Sequence, residues 1–104
     1  MSTSKADLSS LAANAGQAAA MLRALANERR LMILCLLIQA SEMSAGELAE
    51  EVGISQSALS QHLSKMRDEG LVDFRREAQS SYYRIADPSV KRVIAVLKNI
   101  YCDT

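Results

Sequence analysis

The sequence is poor in chain breakers, with four glycines and one proline in 104 residues. Alanine and leucine are abundant, so helix is favoured over strand. There is no net charge, because twelve Lys and Arg balance twelve Asp and Glu. That excludes a globally basic protein, so any nucleic-acid contact must come from a local basic face. The longest apolar run, Leu31 to Ile38, is eight residues. It is too short to span a bilayer, and no membrane partner is expected. The first residues lack the charged and apolar regions of a signal peptide, so a cytoplasmic location is expected. There the two cysteines rest reduced, and a bridge between them is conditional. No Gly-rich phosphate loop, metal-binding His pair or Gly-x-Ser-x-Gly turn occurs, which argues against an enzyme. One His and two distant Cys do not make a zinc site, so no metal or cofactor is expected.

What is present fits one domain, with 49% hydrophobic and 23% charged residues. A chain this short has a high surface-to-volume ratio, and pairing with a second copy would bury more apolar surface. Residues 1 to 6 are polar and read as a disordered tail, leaving 7 to 104 as the folded domain.

From Leu8 to Ala26, apolar residues recur every three or four positions, predicting an amphipathic helix with an alanine-rich middle. Glu28 to Gln39 predicts a second helix, apolar on all sides and therefore buried. Ser44-Ala-Gly-Glu47 is a capping box opening a short helix, Ala45 to Glu51. Val52-Gly-Ile54 is a tight turn in which Gly53 is free to take positive φ. Ser55 caps the helix Gln56 to Asp68, and Gly70 closes it. Leu71 to Arg76 and Ser81 to Ile85 are β-prone and flank the loop Glu77 to Ser80. Asp87-Pro88 opens the last helix. Its apolar face carries Val90, Val93, Ile94, Leu97, Ile100 and Tyr101.

The order α1-α2-α3-α4-β-β-α5 is mainly α with a small β-hairpin wing, a winged helix-turn-helix. In that motif the second helix enters the major groove N-terminal end first. Leu59, Leu63 and Met66 form its core stripe, which puts Gln56, Ser57, Ser60 and Gln61 opposite. Gln pairs bidentately with adenine, and Ser donates or accepts at several bases. Ser55 sits at the helix N-terminus, where phosphate is favoured. Lys65 and Arg67 lie farther along, placed to hold backbone. Arg75 and Arg76 lead into the loop with Gln79 at its tip, a group that can reach the neighbouring minor groove. His62 reads as a packing or hydrogen-bonding residue, with phosphate contact as its functional option. A Ser/Gln-rich face alone is compatible with plain solvated surface or with a protein-interaction module. The ordered set of turn, cap, closing glycine and basic hairpin points to double-stranded DNA.

Cys35, in Leu34-Cys-Leu-Leu37, reads alone as a buried small hydrophobe. Cys102 lies at the end of the last helix, open to reagents. Packed near each other around the first helix, the second and last helices would let the two sulfurs be bridged, directly or through added sulfur. The more accessible thiolate would attack first and the other would resolve.

Taken together, Leu25-Ala-Asn-Glu-Arg-Arg-Leu-Met-Ile-Leu-Cys35, Ser44-Ala-Gly-Glu-Leu48, Ser55 to Leu63 and Arg67-Asp-Glu-Gly-Leu-Val72 resemble the ArsR family of bacterial repressors. The resemblance runs from about Ala18 to Cys102. It implies a homodimer joined through the first and last helices, with repression relieved by an inducer. Many members sense metals through Cys-x-Cys on the short helix; here that stretch is Glu47-Leu-Ala-Glu-Glu51, without those ligands. The last helix also lacks the His found in other members. Cys35 and Cys102 match the cysteines of the dithiol persulfide-sensing, HlyU/BigR-like branch. That likeness implies that persulfides, or oxidants in some members, link the two cysteines within a protomer and weaken operator binding. The leading expectation is a repressor that binds an inverted-repeat operator and responds to persulfide. A general oxidant sensor, and a constitutive anti-silencing DNA binder with inert cysteines, are the alternatives.

Overall fold

Five helices each begin on a Ser, Asn or Asp whose side chain accepts a backbone N–H of the first turn. In the computed structural model, which describes residues 4–102, these caps are Ser4, Asn27, Ser44, Ser55 and Asp87. They open α1 (Lys5–Leu25), α2 (Glu28–Ala40), α3 (Ala45–Val52), α4 (Gln56–Asp68) and α5 (Pro88–Tyr101). The Ser44/Glu47 capping box is complete, with both reciprocal bonds formed. Gly53 and Gly70 both take φ of 78°, where a Cβ is disfavoured. At the end of α4, Gly70 N–H donates to Arg67 and Leu71 N–H to Met66. That is a Schellman closure, and its apolar partners Leu71 and Met66 are both buried.

Three antiparallel strands complete the fold in the order β1-β3-β2: β1 (Met43–Ser44), β2 (Val72–Glu77) and β3 (Ser80–Ile85). In the register of the hairpin, Phe74 faces Tyr83 and Arg75 faces Tyr82, while β1 pairs Met43 with Tyr83. The β1 pairing is absent from the sequence reading, because two residues are too few to show alternation. The expected loop Glu77 to Ser80 shortens to Ala78 and Gln79, since Glu77 and Ser80 pair. Ala78 meets the tight turn by taking φ of 56°.

The core joins Ile33, Leu34 and Leu37 of α2 to Leu48, Leu59, Leu63 and Met66 of the helix-turn-helix and to Val90 and Ile94 of α5. The second helix is not buried on all sides as expected: Met32 is 43% exposed, and the core takes only one face. The start of the first helix also differs. Lys5 and Ala6, read as tail, lie inside α1 because Ser4 caps it; residues 1–3 of that tail lie outside the described residues.

Within this chain α1 buries only Leu25, and its Leu8, Leu11 and Leu22 are exposed. The two thiol-bearing helices α2 and α5 pack directly on each other rather than around α1. The apolar face of α5 is covered at Val90 and Ile94 but open at Ile100 and Tyr101. The projecting α1 raises the radius of gyration to 15.6 Å, against about 13 Å for a compact domain of this size.

Candidate nucleic-acid interface and thiol pair

Ser55 Oγ accepts the Ala58 N–H at 3.1 Å, so α4 starts cleanly at Gln56. From there the helical period turns Leu59, Leu63 and Met66 into the core, all fully buried. Gln56, Ser57, Ser60 and Gln61 consequently face solvent, with Ser55 exposed beside them. The first turn of α4 carries no acidic residue and its last turn carries Lys65 and Arg67. The reading end is thus a helix N-terminus with uncharged hydrogen-bonding side chains, favourable to phosphate and able to match base edges. His62 is half-buried at the edge of this face, and Lys65 is exposed.

The hairpin docks on α4 through Arg67, whose guanidinium lies 4.5 Å from the centre of the Phe74 ring. Phe74 in turn lies 5.3 Å from Tyr83, centroid to centroid. Cation–π contacts of this kind favour a fixed geometry. Side chains alternate along β2, so Arg76 shares the face of Phe74 and stands exposed on the α4 side. Gln79 is exposed in the two-residue turn at the hairpin tip.

Arg75 is placed differently. It points to the opposite face, where it bonds Glu42 and Glu77 and covers the Tyr82 ring at 4.8 Å. The Arg75 hydrogen bonds hold the Glu42 carboxyl below its ordinary value, and both carboxylates raise Arg75 in return. Of the two arginines of β2, then, only Arg76 stands with α4. The period-two alternation of β2 carries that distinction, but reading it needs the true strand register. Phe74 and Arg67, which join wing to helix, were not singled out as a pair in the sequence because they depend on the docking.

Cys35 is half-buried on α2 and Cys102 is exposed at the end of α5, both as free thiols. Burial pushes the Cys35 thiol up, and the charge of Cys102 pushes it further, while Lys98 pulls it down. Lys98 and Cys102 both act electrostatically on Cys35, across the packing of α5 against α2. Cys102 N–H donates to the Lys98 carbonyl at 2.8 Å, which places the two on adjacent turns of the same helix face. Among the described residues no three of His, Cys, Asp and Glu gather to hold a metal.

A capped helix presented beside a basic two-stranded hairpin defines a winged helix-turn-helix, the architecture of DNA-binding transcription regulators. The profile described as bacterial regulatory protein, arsR family, matches residues 27–73. The HTH-type transcriptional regulator YgaV of Escherichia coli strain K12 is 51% identical over 96 residues, 92% of this chain and 97% of that protein. The transcriptional activator HlyU of Vibrio cholerae is 46% identical over 92% of this chain and 88% of its own length. Reduced HlyU from Vibrio cholerae N16961 superposes with a TM-score of 0.85, covering 90% of this chain and 98% of that one at 46% identity. The transcriptional repressor BigR from Xylella fastidiosa gives 0.81 at 33% identity, covering 90% and 92%. The chain belongs to the ArsR family: it is a DNA-binding transcriptional regulator and not an enzyme.

Proposed function

We propose that the protein is a homodimeric repressor that reads an inverted repeat with α4 and lets go when reactive sulfur links Cys35 to Cys102. The observation that carries the thiol half is that α2, with the half-buried Cys35, packs directly on α5, whose C-cap is the exposed Cys102. The dimer half rests on exposed leucines along α1 and exposed Val96, Ile100 and Tyr101 on α5. An apolar face of that size calls for a cover, and a second copy supplies it symmetrically. Contacts to DNA come from Ser55, Gln56, Ser57, Ser60 and Gln61 at the reading end, from His62 and Lys65 toward the backbone, and from Arg76 and Gln79 on the wing. Arg75 serves the wing itself. Among the described residues no helix is long and apolar enough to cross a membrane, and a DNA reader of this kind works in the cytoplasm.

The chemistry balances without a metal. The exposed Cys102 thiolate attacks the outer sulfur of a persulfide and expels the thiolate, becoming a persulfide itself. Cys35 undergoes the same exchange more slowly, because its thiolate is disfavoured. Attack of one persulfide on the cysteine sulfur of the other releases hydrogen sulfide and leaves a trisulfide between α2 and α5. That link moves the helix carrying the dimer face relative to the helix packed on the reading unit.

A second reading keeps the site and changes the signal. A peroxide oxidises Cys102 to a sulfenic acid with loss of the reduced oxygen as water, and Cys35 displaces a second water to close a disulfide. A relative solved in a form described as reduced is in keeping with thiols that can be oxidised, under either reading. The deciding measurement is operator affinity of the reduced protein before and after glutathione persulfide, peroxide or glutathione disulfide, with intact mass alongside. Loss of affinity with persulfide only, with sulfur added between the cysteines, supports the first reading. Equal loss with peroxide and a plain disulfide supports the second, and unchanged affinity throughout removes both.

A further inference from the structure

The first turn of α2 carries two consecutive arginines, and each grips the C-terminal end of one helix of the helix-turn-helix. Arg29 Nη1 donates to the Val52 carbonyl at 3.2 Å, the last residue of α3. Arg30 Nη1 donates at 2.8 Å to Glu69 Oε2, and Nη2 reaches Oε1 at 3.4 Å. Glu69 is the C-cap of α4. The same Nη1 also donates to the Ala24 carbonyl at 2.8 Å, in the last turn of α1. Carbonyls of a last helical turn lack helical partners, and cationic donors there also meet the negative end of the helix dipole. One guanidinium therefore ties the end of the projecting helix α1 to the end of the reading helix α4. Its side chain is 12% exposed, against 42% for Glu69, so the bond is shielded on the arginine side.

We propose that Arg30 is a positioning residue for DNA recognition: by holding Glu69 it sets the tilt of α4 against the α1–α2 unit. This rests on α4 being the reading helix. The core contacts of Leu59, Leu63 and Met66 fix how deep α4 lies. Such contacts are non-directional, whereas a two-pronged Arg–carboxylate pair is directional. The lever is long. With 13 residues, α4 is about 20 Å in length at 1.5 Å per residue. A tilt of about 5° at the Glu69 end moves the Gln56 end by about 1.7 Å, while productive contacts tolerate about 0.5 Å. Arg30 itself spends its donors on Glu69 and Ala24 and sits at the far end of α4 from the bases, so it acts through Glu69 and not through phosphate.

The test uses the full chain and two duplexes of about 30 bp, long enough for two half-sites. One is enriched by the protein from a random pool and the other is a shuffled version of it. Arg30→Gln and Glu69→Gln should each weaken the enriched duplex about tenfold and leave the shuffled one unchanged, with the same slope of affinity against salt. The double variant should bind no worse than the weaker single, because both changes break one pair. Should Arg30→Gln not fold, Glu69→Gln carries the test alone, since it keeps the Arg30–Ala24 bond. Additive losses, no loss, or parallel loss on both duplexes with a shallower salt slope would each overturn the proposal. A Gln56→Ala, Ser60→Ala, Gln61→Ala variant is the control: if it reads the two duplexes as the parent does, the assignment of α4 fails, and the positioning role falls with it.

Discussion

Arg75 and Glu42 meet at 2.8 Å across the face of the wing that points away from α4. The chain neighbour Arg76 is on the other face and free of any salt bridge among the described residues. The two arginines therefore predict different phenotypes. Arg76→Ala should weaken binding to all duplexes alike and lower the salt slope by about 1, as for a lost phosphate contact. Arg75→Ala should leave the slope unchanged, because its charge is already met by Glu42 and Glu77. Filter-binding or anisotropy titrations over a range of salt distinguish them. Equal slopes for the two variants would put both arginines on the same side.

The Glu42 carboxyl is held below its ordinary value of 4.5 by the Arg75 hydrogen bond. A depressed carboxylate contributes stability above the unfolded value and loses it as pH falls through the folded one. The wing bond should thus persist at pH 4.5 and open only in stronger acid. Carbon-detected titration of the Glu42 carboxyl checks this, with Arg75→Gln expected to return the midpoint to the ordinary range.

Cys35 should react second. With its thiol raised above 9.0 by burial and by Cys102, it is protonated at neutral pH. Iodoacetamide at neutral pH should label Cys102 first, and Cys35 labelling should accelerate as pH climbs past 9.0. Lys98→Gln removes the charge that favours the Cys35 thiolate and should slow Cys35 further. The linkage has the matching sign: a raised pKa costs nothing below 9.0 and destabilises the fold as pH rises from there toward the folded value. Peptide mass mapping over time reads the order, and equal rates at neutral pH would contradict it.

Much of this was legible in the chain because its signals are local. The caps at Ser44 and Ser55, the closing Gly70 and the stripe Leu59, Leu63, Met66 each lie within one or two helical turns. They set both the fold and the outward face of α4. What stayed hidden depends on pairing between distant segments. Arg75 and Arg76 are one residue apart, and only the strand register separates their roles. Arg30 and Glu69 are 39 residues apart, and nothing in either local pattern marks them as partners. The all-apolar run Leu31 to Ile38 read as buried all round, yet Met32 is exposed because α2 has the core on one side only. Cys35 and Cys102 lie on two helices far apart in the chain, and only the packing of α2 on α5 relates those helices.

Ser41 ends α2 with φ of 68° and ψ of −40°, a conformation that disfavours any Cβ. It is exposed, so a change there disturbs no packing. Ser41→Gly should stabilise the protein by about 0.5–1 kcal/mol after the entropy cost of glycine. For a domain of this size that corresponds to a rise in Tm of about 2–8 °C. Ser41→Ala keeps the Cβ and should give no such gain. Thermal melts of the two variants side by side are sufficient, and a gain shared by both would assign the effect to loss of the hydroxyl instead.

Leu22 on α1 and Ile100 on α5 are each 61% exposed in the single chain. If these helices form the dimer face, a charge at either position must be desolvated on association, a cost with no partner to offset it. Leu22→Asp and Ile100→Asp should therefore shift the protein toward monomer in sedimentation equilibrium. The fold should survive, because neither side chain belongs to the buried core. Binding to an inverted repeat should fall steeply, while binding to a single half-site should change little, since each half-site needs only one α4. A variant that stays dimeric with full affinity would remove α1 and α5 from the interface. One that stays dimeric yet loses affinity would instead place Leu22 or Ile100 in the coupling between the two reading heads.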